Sequence, residues 1–280
     1  MLRTATMVLA LLLPGATQAR ELKVATWNLG WLTLRDATDP DLPPGVKLYG
    51  SDDRARLRTY VTRLDADVVA IQGVDGPEAA ATVFDPTAYD VFLTGDDVVL
   101  RSGFAVRHGI AARLNDDVEA LGRHRLRSGA DLTLDLGRGA SLRLLSVHLK
   151  AGCRVLPLDG PDACARLREQ GVVLRAWLDA RAGEGGYAIL GDFGRVLDTP
   201  GDLATLLGPG AEPVLRATAG RANPCWGGGA FTDHLLFGGA ARTWMTPDTL
   251  RTMMFRETDD DARAHLPTHC PVSVRLRIPG

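Results

Sequence analysis

Residues 187–193, Tyr-Ala-Ile-Leu-Gly-Asp-Phe, form a short apolar run that stops on a glycine and a carboxylate. Too short for a helix, it reads as a strand that delivers a polar group at its end. The same pattern recurs on either side of it. Leu22 to Trp27 runs into Asn28, Asp67 to Gln72 ends on its glutamine, and Ser141 to Leu149 carries His148 with Lys150 behind it. Phe231 to Phe237 contains Thr232-Asp233-His234, and Thr268-His269 precedes Val272 to Ile278. Further strands are expected at Tyr89 to Leu93, Val98 to Val106 and Asp131 to Leu136. One such ending is ordinary, but six in one chain indicate a shared mouth above a sandwich.

Fewer helices are expected than strands. Ser51 caps one in which Leu57, Tyr60, Val61 and Leu64 form an apolar stripe. Asp162 caps another with Leu167, Val173, Leu174, Trp177 and Leu178 inward, and Pro77 to Phe84 is a third. Hairpin-like pairing disfavours a strictly alternating parallel fold, so the expected class is α+β, with two packed mixed sheets flanked by helices. The Pro-rich loop from Asp39 to Gly50 is long for a compact domain, which marks a functional surface or a mobile lid.

Composition narrows the class further. At 280 residues, 45% hydrophobic and 24% charged, the chain supports one sizeable core and excludes disorder, collagen, coiled coil and multi-span membrane protein. A formal charge of −2 provides no global basic field, so a polyanion would need a local patch. Met1 to Ala19 reads as a secretory signal, with Arg3 before an apolar run too short to span a bilayer. A single domain over residues 20–280 is expected, as a periplasmic or secreted monomer without a membrane span. Its four cysteines then read as two disulfides. Of three possible pairings, Cys153–Cys164 and Cys225–Cys270 are favoured. The first pair brackets a Pro/Gly/Asp loop, and the second lies beside the strands that carry candidate site residues. No Cys-x-x-Cys pair exists, which argues against a zinc knot.

The order Trp27-Asn28, Gln72, His148-Leu149, Gly191-Asp192-Phe193, Asp233-His234 and His269-Cys270-Pro271-Val272 resembles the endonuclease/exonuclease/phosphatase superfamily, from about Leu22 to Ile278. The resemblance implies a four-layer α/β/β/α sandwich that hydrolyses phosphoesters with Mg2+ or Mn2+. By the same resemblance Asn28 helps hold metal or phosphate, His148 contacts the scissile phosphate, and Asp192 orients water and ligates metal. Asp233 and His269 then form a polarising dyad, in which a carboxylate raises an imidazole's pKa and fixes its tautomer. Lys150 is a candidate phosphate contact.

Three positions depart from the family pattern. Gly73 stands where the family has a metal-binding Glu, Gly194 where it has Asn, and Thr268 where it has Asp. Magnesium takes oxygen ligands and leans on one or two carboxylates, so losing two weakens the metal half. A net loss of about 2.7 kcal/mol is already a hundredfold in affinity. A missing donor beside a developing oxyanion costs on the order of 10²–10³ in rate. The expectation is an impaired phosphoesterase, the alternative a non-catalytic relative that binds a phosphate-bearing ligand or nucleic acid through the remaining His and Asp residues. Restoring Glu, Asn and Asp at the three positions together is the test that follows.

Other polar residues carry two readings each. Asp75 and Glu78 are replacement ligands or a turn and a helix start, and Asp259 to Asp261 swing toward the site or form a solvated loop. Arg123, Arg125 and Arg127 hold a phosphate backbone or reflect an arginine-rich composition. Surface positions suit His108, His124 and His265. No helix pattern follows Gly227 to Gly229, so this run is not a phosphate cradle, and Trp226 serves packing or stacking on a ligand.

Overall fold

The computed structural model describes residues 19–197, 203–208 and 212–279. All of the expected export signal except Ala19 lies outside the described residues. In chain order the elements are β1 (Arg20–Leu32), α1 (Ser51–Leu64), β2 (Val68–Val74), α2 (Pro77–Ala81), β3 (Tyr89–Leu93), β4 (Arg101–Arg107) and β5 (Ala111–Leu114). They continue with β6 (Ala130–Gly137), β7 (Ala140–His148), α3 (Asp162–Asp179), β8 (Gly186–Asp192), α4 (Leu203–Leu207), β9 (Leu215–Arg216), β10 (Ala222–Asn223) and β11 (Gly229–Ala230). The last are β12 (Asp233–Gly239), α5 (Ala241–Trp244), β13 (Arg251–Thr252), α6 (Asp260–Ala264) and β14 (Val272–Ile278).

Two mixed six-stranded sheets, ordered β13-β14-β1-β2-β4-β3 and β5-β6-β7-β8-β12-β9, pack face to face. Strand alternation sets the layers. Val24, Val68, Leu144, Leu190 and Leu235 point between the sheets. Their neighbours Ala25, Val69 and Ile71 turn out against α1 and α2, and Leu145 and Ile189 turn out against α3 and α4. The result is the expected α/β/β/α order, with three apolar clusters between four layers. The expected strands all form; β5, β9, β10, β11 and β13 are short additions whose two to four residues carry too little periodicity to read.

Two helix starts differ by one residue from expectation. Gly50, rather than Ser51, caps α1, because the Asp53 carboxylate turns back to accept the Gly50 N–H (2.9 Å). Pro161, rather than Asp162, precedes α3, leaving Asp162 in the first turn where its charge favours the helix dipole. Both favoured disulfides are formed, with Cα separations of 5.0 Å for Cys153–Cys164 and 5.8 Å for Cys225–Cys270. They fit a chain that matures under oxidising conditions. Among the described residues no helix is long and apolar enough to cross a membrane.

Asp131 joins the second sheet to its helix. Fully buried, it accepts from Trp177 Nε1 (2.9 Å), Asn115 Nδ2 (3.1 Å), Arg143 Nη2 (3.1 Å) and Arg181 Nη2 (3.4 Å). Removing one partner of a buried ion pair costs roughly 3–5 kcal/mol, and both arginines reach solvent, which places this site at the lower end. Asp131→Ala is therefore expected to lower unfolding stability by about 3 kcal/mol. Urea titration checks this; a loss below the roughly 0.5 kcal/mol typical of surface changes would contradict it.

Candidate functional site

Period-two alternation carries the inner row of each strand from apolar to polar at one end of the sandwich. On β1 the row reads Leu22, Val24, Thr26, Asn28; on β7 it reads Leu142, Leu144, Ser146, His148; on β8 it reads Ala188, Leu190, Asp192. Register then aligns the ends, since His148 pairs with Asp192 across the parallel β7–β8 ladder and Asp192 with Asp233 across β8–β12. Just below, Gln72 bridges the sheets, accepting from Thr26 Oγ1 (3.3 Å) and donating to Ser146 Oγ (3.1 Å). Gln72 thus supports the floor of the site rather than lining it.

Above that floor lies a cavity of about 440 Å3 lined by Asn28, His148, Asp192 and His269 together with Lys47, Arg127 and Arg263. Asn28 Nδ2 donates to Asp192 Oδ2 (2.9 Å), and the Gly194 N–H donates to Asp192 Oδ1 (2.7 Å). Burial and the nearby Asp233 charge push the Asp192 carboxyl above the ordinary range, against the pull of His269 and these two donors. His269 Nδ1 meets Asp233 Oδ2 at 2.8 Å, while Nε2 lies 3.7 Å from Asp192 Oδ2. Burial works against a charge on His269, but Asp233 and then Asp192 outweigh it, and the imidazole pKa is pushed up to about 9. Trp27 Nε1 holds the His269 carbonyl (3.1 Å), and the Cys225–Cys270 bridge pins the next residue.

His148 has the opposite fate. Burial, then the charges of Arg127 and His269, drive its pKa well down, so the ring is neutral. Arg127 Nη2 lies 3.0 Å from His148 Nε2, and a guanidinium only donates, so Nε2 accepts and the proton sits on Nδ1. Of the three arginines flagged in the sequence, Arg127 lines the cavity, whereas Arg123 and Arg125 are exposed. The distinguishing signal is burial, which spacing alone does not carry. Lys150 turns aside, its ammonium donating to the Ala151 carbonyl (2.9 Å), and Ala151 is the lining residue there. Lys47, Tyr49 and Trp31 are lining residues that no motif indicated.

Asp75 is saturated by Thr33 Oγ1 (2.6 Å) and Arg35 Nε (2.9 Å), and Glu78 sits in the first turn of α2. Asp259 caps α6 and accepts the Ala262 N–H (2.8 Å), leaving Asp260 and Asp261 exposed; α6 brings Arg263 rather than an acid to the cavity. Trp226 is packed against Phe255, with Arg263 over its face (4.8 Å). His108 and His124 pair at the surface with Asp90 and Glu169, while His265 ties the end of α6 to Asp53 (3.1 Å).

Gly73 is more than a missing side chain. Between Asn28↔Gln72 and Leu32↔Val74 the β1–β2 register slips, so Leu29 to Trp31 bulge opposite Gly73, with Gly30 and Gly73 both in the left-handed region (φ 72° and 76°). A Cβ at position 73 would lie 2.2 Å from the Gly30 carbonyl oxygen. Backbone fills the space from which a Glu would project. At Gly194 (φ 60°) a Cβ would stand 2.9 Å from the Lys150 carbonyl, a tight fit for Asn. Simple restoration of the three residues, as the sequence invites, is closed sterically at position 73.

Among the described residues Asp192, Asp233 and His269 bring three metal-capable atoms within 4.8 Å of one another, a possible metal group. Its chemistry does not suit magnesium. The imidazole lies between the two carboxylates, bonded to one and facing the other, and its pKa of about 9 keeps it protonated at neutral pH. Both Asp192 oxygens already accept hydrogen bonds, and the Arg127 guanidinium adds a positive charge to the same cavity.

No family model matches this chain, and no curated protein matches it. Solved structures do. A D. rerio TDP2 complexed with a single-strand DNA product aligns at TM-score 0.58 and 17% identity over 92% of this chain and 99% of that one. An endonuclease/exonuclease/phosphatase family protein from Bacteroides thetaiotaomicron aligns at 0.57 and 14% over 94% and 100%. The human Nocturnin catalytic domain with bound sulfate aligns at 0.57 and 14% over 92% and 95%. The chain therefore has the endonuclease/exonuclease/phosphatase, or DNase I-like, fold.

Two outcomes follow. Gly73→Glu is expected to destabilise the protein by more than about 2 kcal/mol without creating magnesium affinity; a variant with the wild-type melting temperature and calorimetric magnesium binding would refute this. The raised His269 pKa stabilises the fold fully below pH 6.5, and that stability is lost as pH rises through about 9. At 1.36 kcal/mol per pH unit it amounts to about 3 kcal/mol at most. Asp233→Asn should flatten this part of the stability–pH curve, and an unchanged slope from pH 6.5 to 9.5 would count against the dyad.

Proposed function

We propose that the cavity binds a phosphate ester and hydrolyses it mainly with side-chain charge, in an exported protein whose turnover is reduced by the depleted metal half. The observation that carries this reading is the convergence of Asn28, His148, Asp192 and the Asp233–His269 dyad on one cavity that Arg127 also lines. Arg127 and the His269 imidazolium bind and polarise the phosphoryl oxygens, offering charge where it accumulates in the transition state. Asp192 is the base. Its raised pKa makes it a stronger base than an ordinary carboxylate, and its two hydrogen-bond donors fix its orientation. As the water oxygen bonds to phosphorus and its proton passes to Asp192, the bond from phosphorus to the ester oxygen breaks, and that oxygen leaves with the electron pair and takes a proton from solvent. Neutral His148 aims Arg127 through Nε2 and so acts on the phosphate indirectly. In this fold a divalent ion would add Lewis-acid polarisation of the phosphoryl oxygen.

Hydrolysis of bis(p-nitrophenyl) phosphate in excess chelator is the test. Slow, chelator-resistant turnover is expected, reduced about 100-fold or more in Arg127→Ala and Asp192→Ala. Activity abolished by chelator and recovered with magnesium would overturn the side-chain mechanism. Phosphate binding with no turnover would favour the non-catalytic alternative.

A further inference from the structure

Resting on the reading of the cavity as a phosphate-ester site, we propose that Lys47 and Tyr49 are substrate-contacting residues. They bind a phosphate oxygen at the side of the cavity formed by the end of the loop between β1 and α1. Three facts place them there. Both line the cavity, at the end of the long loop between β1 and α1. The Tyr49 hydroxyl lies 3.0 Å from the point that a Cβ on Gly30 would occupy, and the Gly30 carbonyl lies 2.2 Å from the point that a Cβ on Gly73 would occupy. Tyr49, Gly30 and Gly73 are therefore neighbours in that order, and the phenol sits beside the closed bulge.

The chemistry of the pair suits an anion. Tyr49 is buried in the apolar cluster that includes Trp27, Leu29 and Leu57, and it also lines the cavity. Burial, with the Asp53 charge behind it, raises the phenol pKa, so the hydroxyl is a donor at every ordinary pH and not a base. Lys47 is exposed and brings a full positive charge to the same wall.

The loop is built to hold the pair in place. Arg35 fastens its first half to Asp39 (3.3 Å), Asp41 (3.0 Å) and Asp75 (2.9 Å). At the other end Arg54 donates to the Tyr49 carbonyl and Asp53 accepts the Gly50 N–H. Donors held by such contacts bind without a large ordering cost. These fastenings hold both ends of the loop and favour its reading as a functional surface.

Inorganic phosphate, titrated calorimetrically in excess chelator, is the first probe, and bis(p-nitrophenyl) phosphate hydrolysis the second. Lys47→Met should weaken phosphate binding about tenfold and flatten its salt dependence, with Lys47→Arg restoring both; Tyr49→Phe should lower kcat/KM about tenfold. Tyr49→Phe keeps the buried ring, so an unchanged melting temperature separates a lost contact from a lost fold. Arg127→Ala serves as the reference variant for the parent reading. If it weakens phosphate while Lys47→Met and Tyr49→Phe stay within twofold of wild type, this inference fails and the phosphate site stands. If wild type binds no phosphate and Arg127→Ala changes nothing, the phosphate site itself fails, and this inference with it.

Discussion

Strand alternation locked by ladder register is the constraint on which the rest of this structure depends. Because side chains repeat every two residues, one slip on β8 would turn Asp192 out toward the helices and bring its apolar neighbours to the cavity. The parallel β7–β8 and antiparallel β8–β12 ladders prevent that, since a slip would also turn Ala188 and Leu190 out of the core between the sheets. The site is thus held in place by the apolar half of the same strands. Its polar residues are buried at considerable electrostatic cost, which the sheet core offsets.

That burial sorts the two imidazoles of the site. His148 faces cationic neighbours and stays neutral, so it can accept from Arg127; His269 lies between two carboxylates and stays charged, so it can donate. His148 is held neutral first by its burial and then by Arg127 and His269, whereas Asp233 and Asp192 overcome the burial of His269; the result is an orienting acceptor and a fixed cation.

Strands with a polar terminus were legible because each is a self-contained periodic run, and the order of their endings carried the resemblance. Lys47 and Tyr49 were not, because they sit on a loop where no period ties residue type to direction. Arg127 stood in an arginine-rich stretch, with burial its only distinction from Arg123 and Arg125. The caps of α1 and α3 fall one residue before the polar residues that the sequence offers, because Asp53 reaches back to Gly50 and Pro161 pre-sets the first turn. The disulfides were legible from which loops they would close.

Position 73 shows why a substitution pattern cannot be read as side chains exchanged on a constant backbone. In sequence, Gly73 looks like a Glu with its carboxylate removed, which would leave an empty ligand position. In the fold, loss of Cβ at both Gly30 and Gly73 lets β1 bulge against β2 until a carbonyl occupies the vacated volume. A left-handed φ at both residues then makes the arrangement unavailable to any β-carbon-bearing residue without strain. The glycine pair is therefore built into the main chain at this end of β1 and β2. Beside this bulge the cavity is lined by the Arg127 guanidinium, the His269 imidazolium and the Lys47 ammonium. Such a cavity favours a ligand that brings its own negative charge.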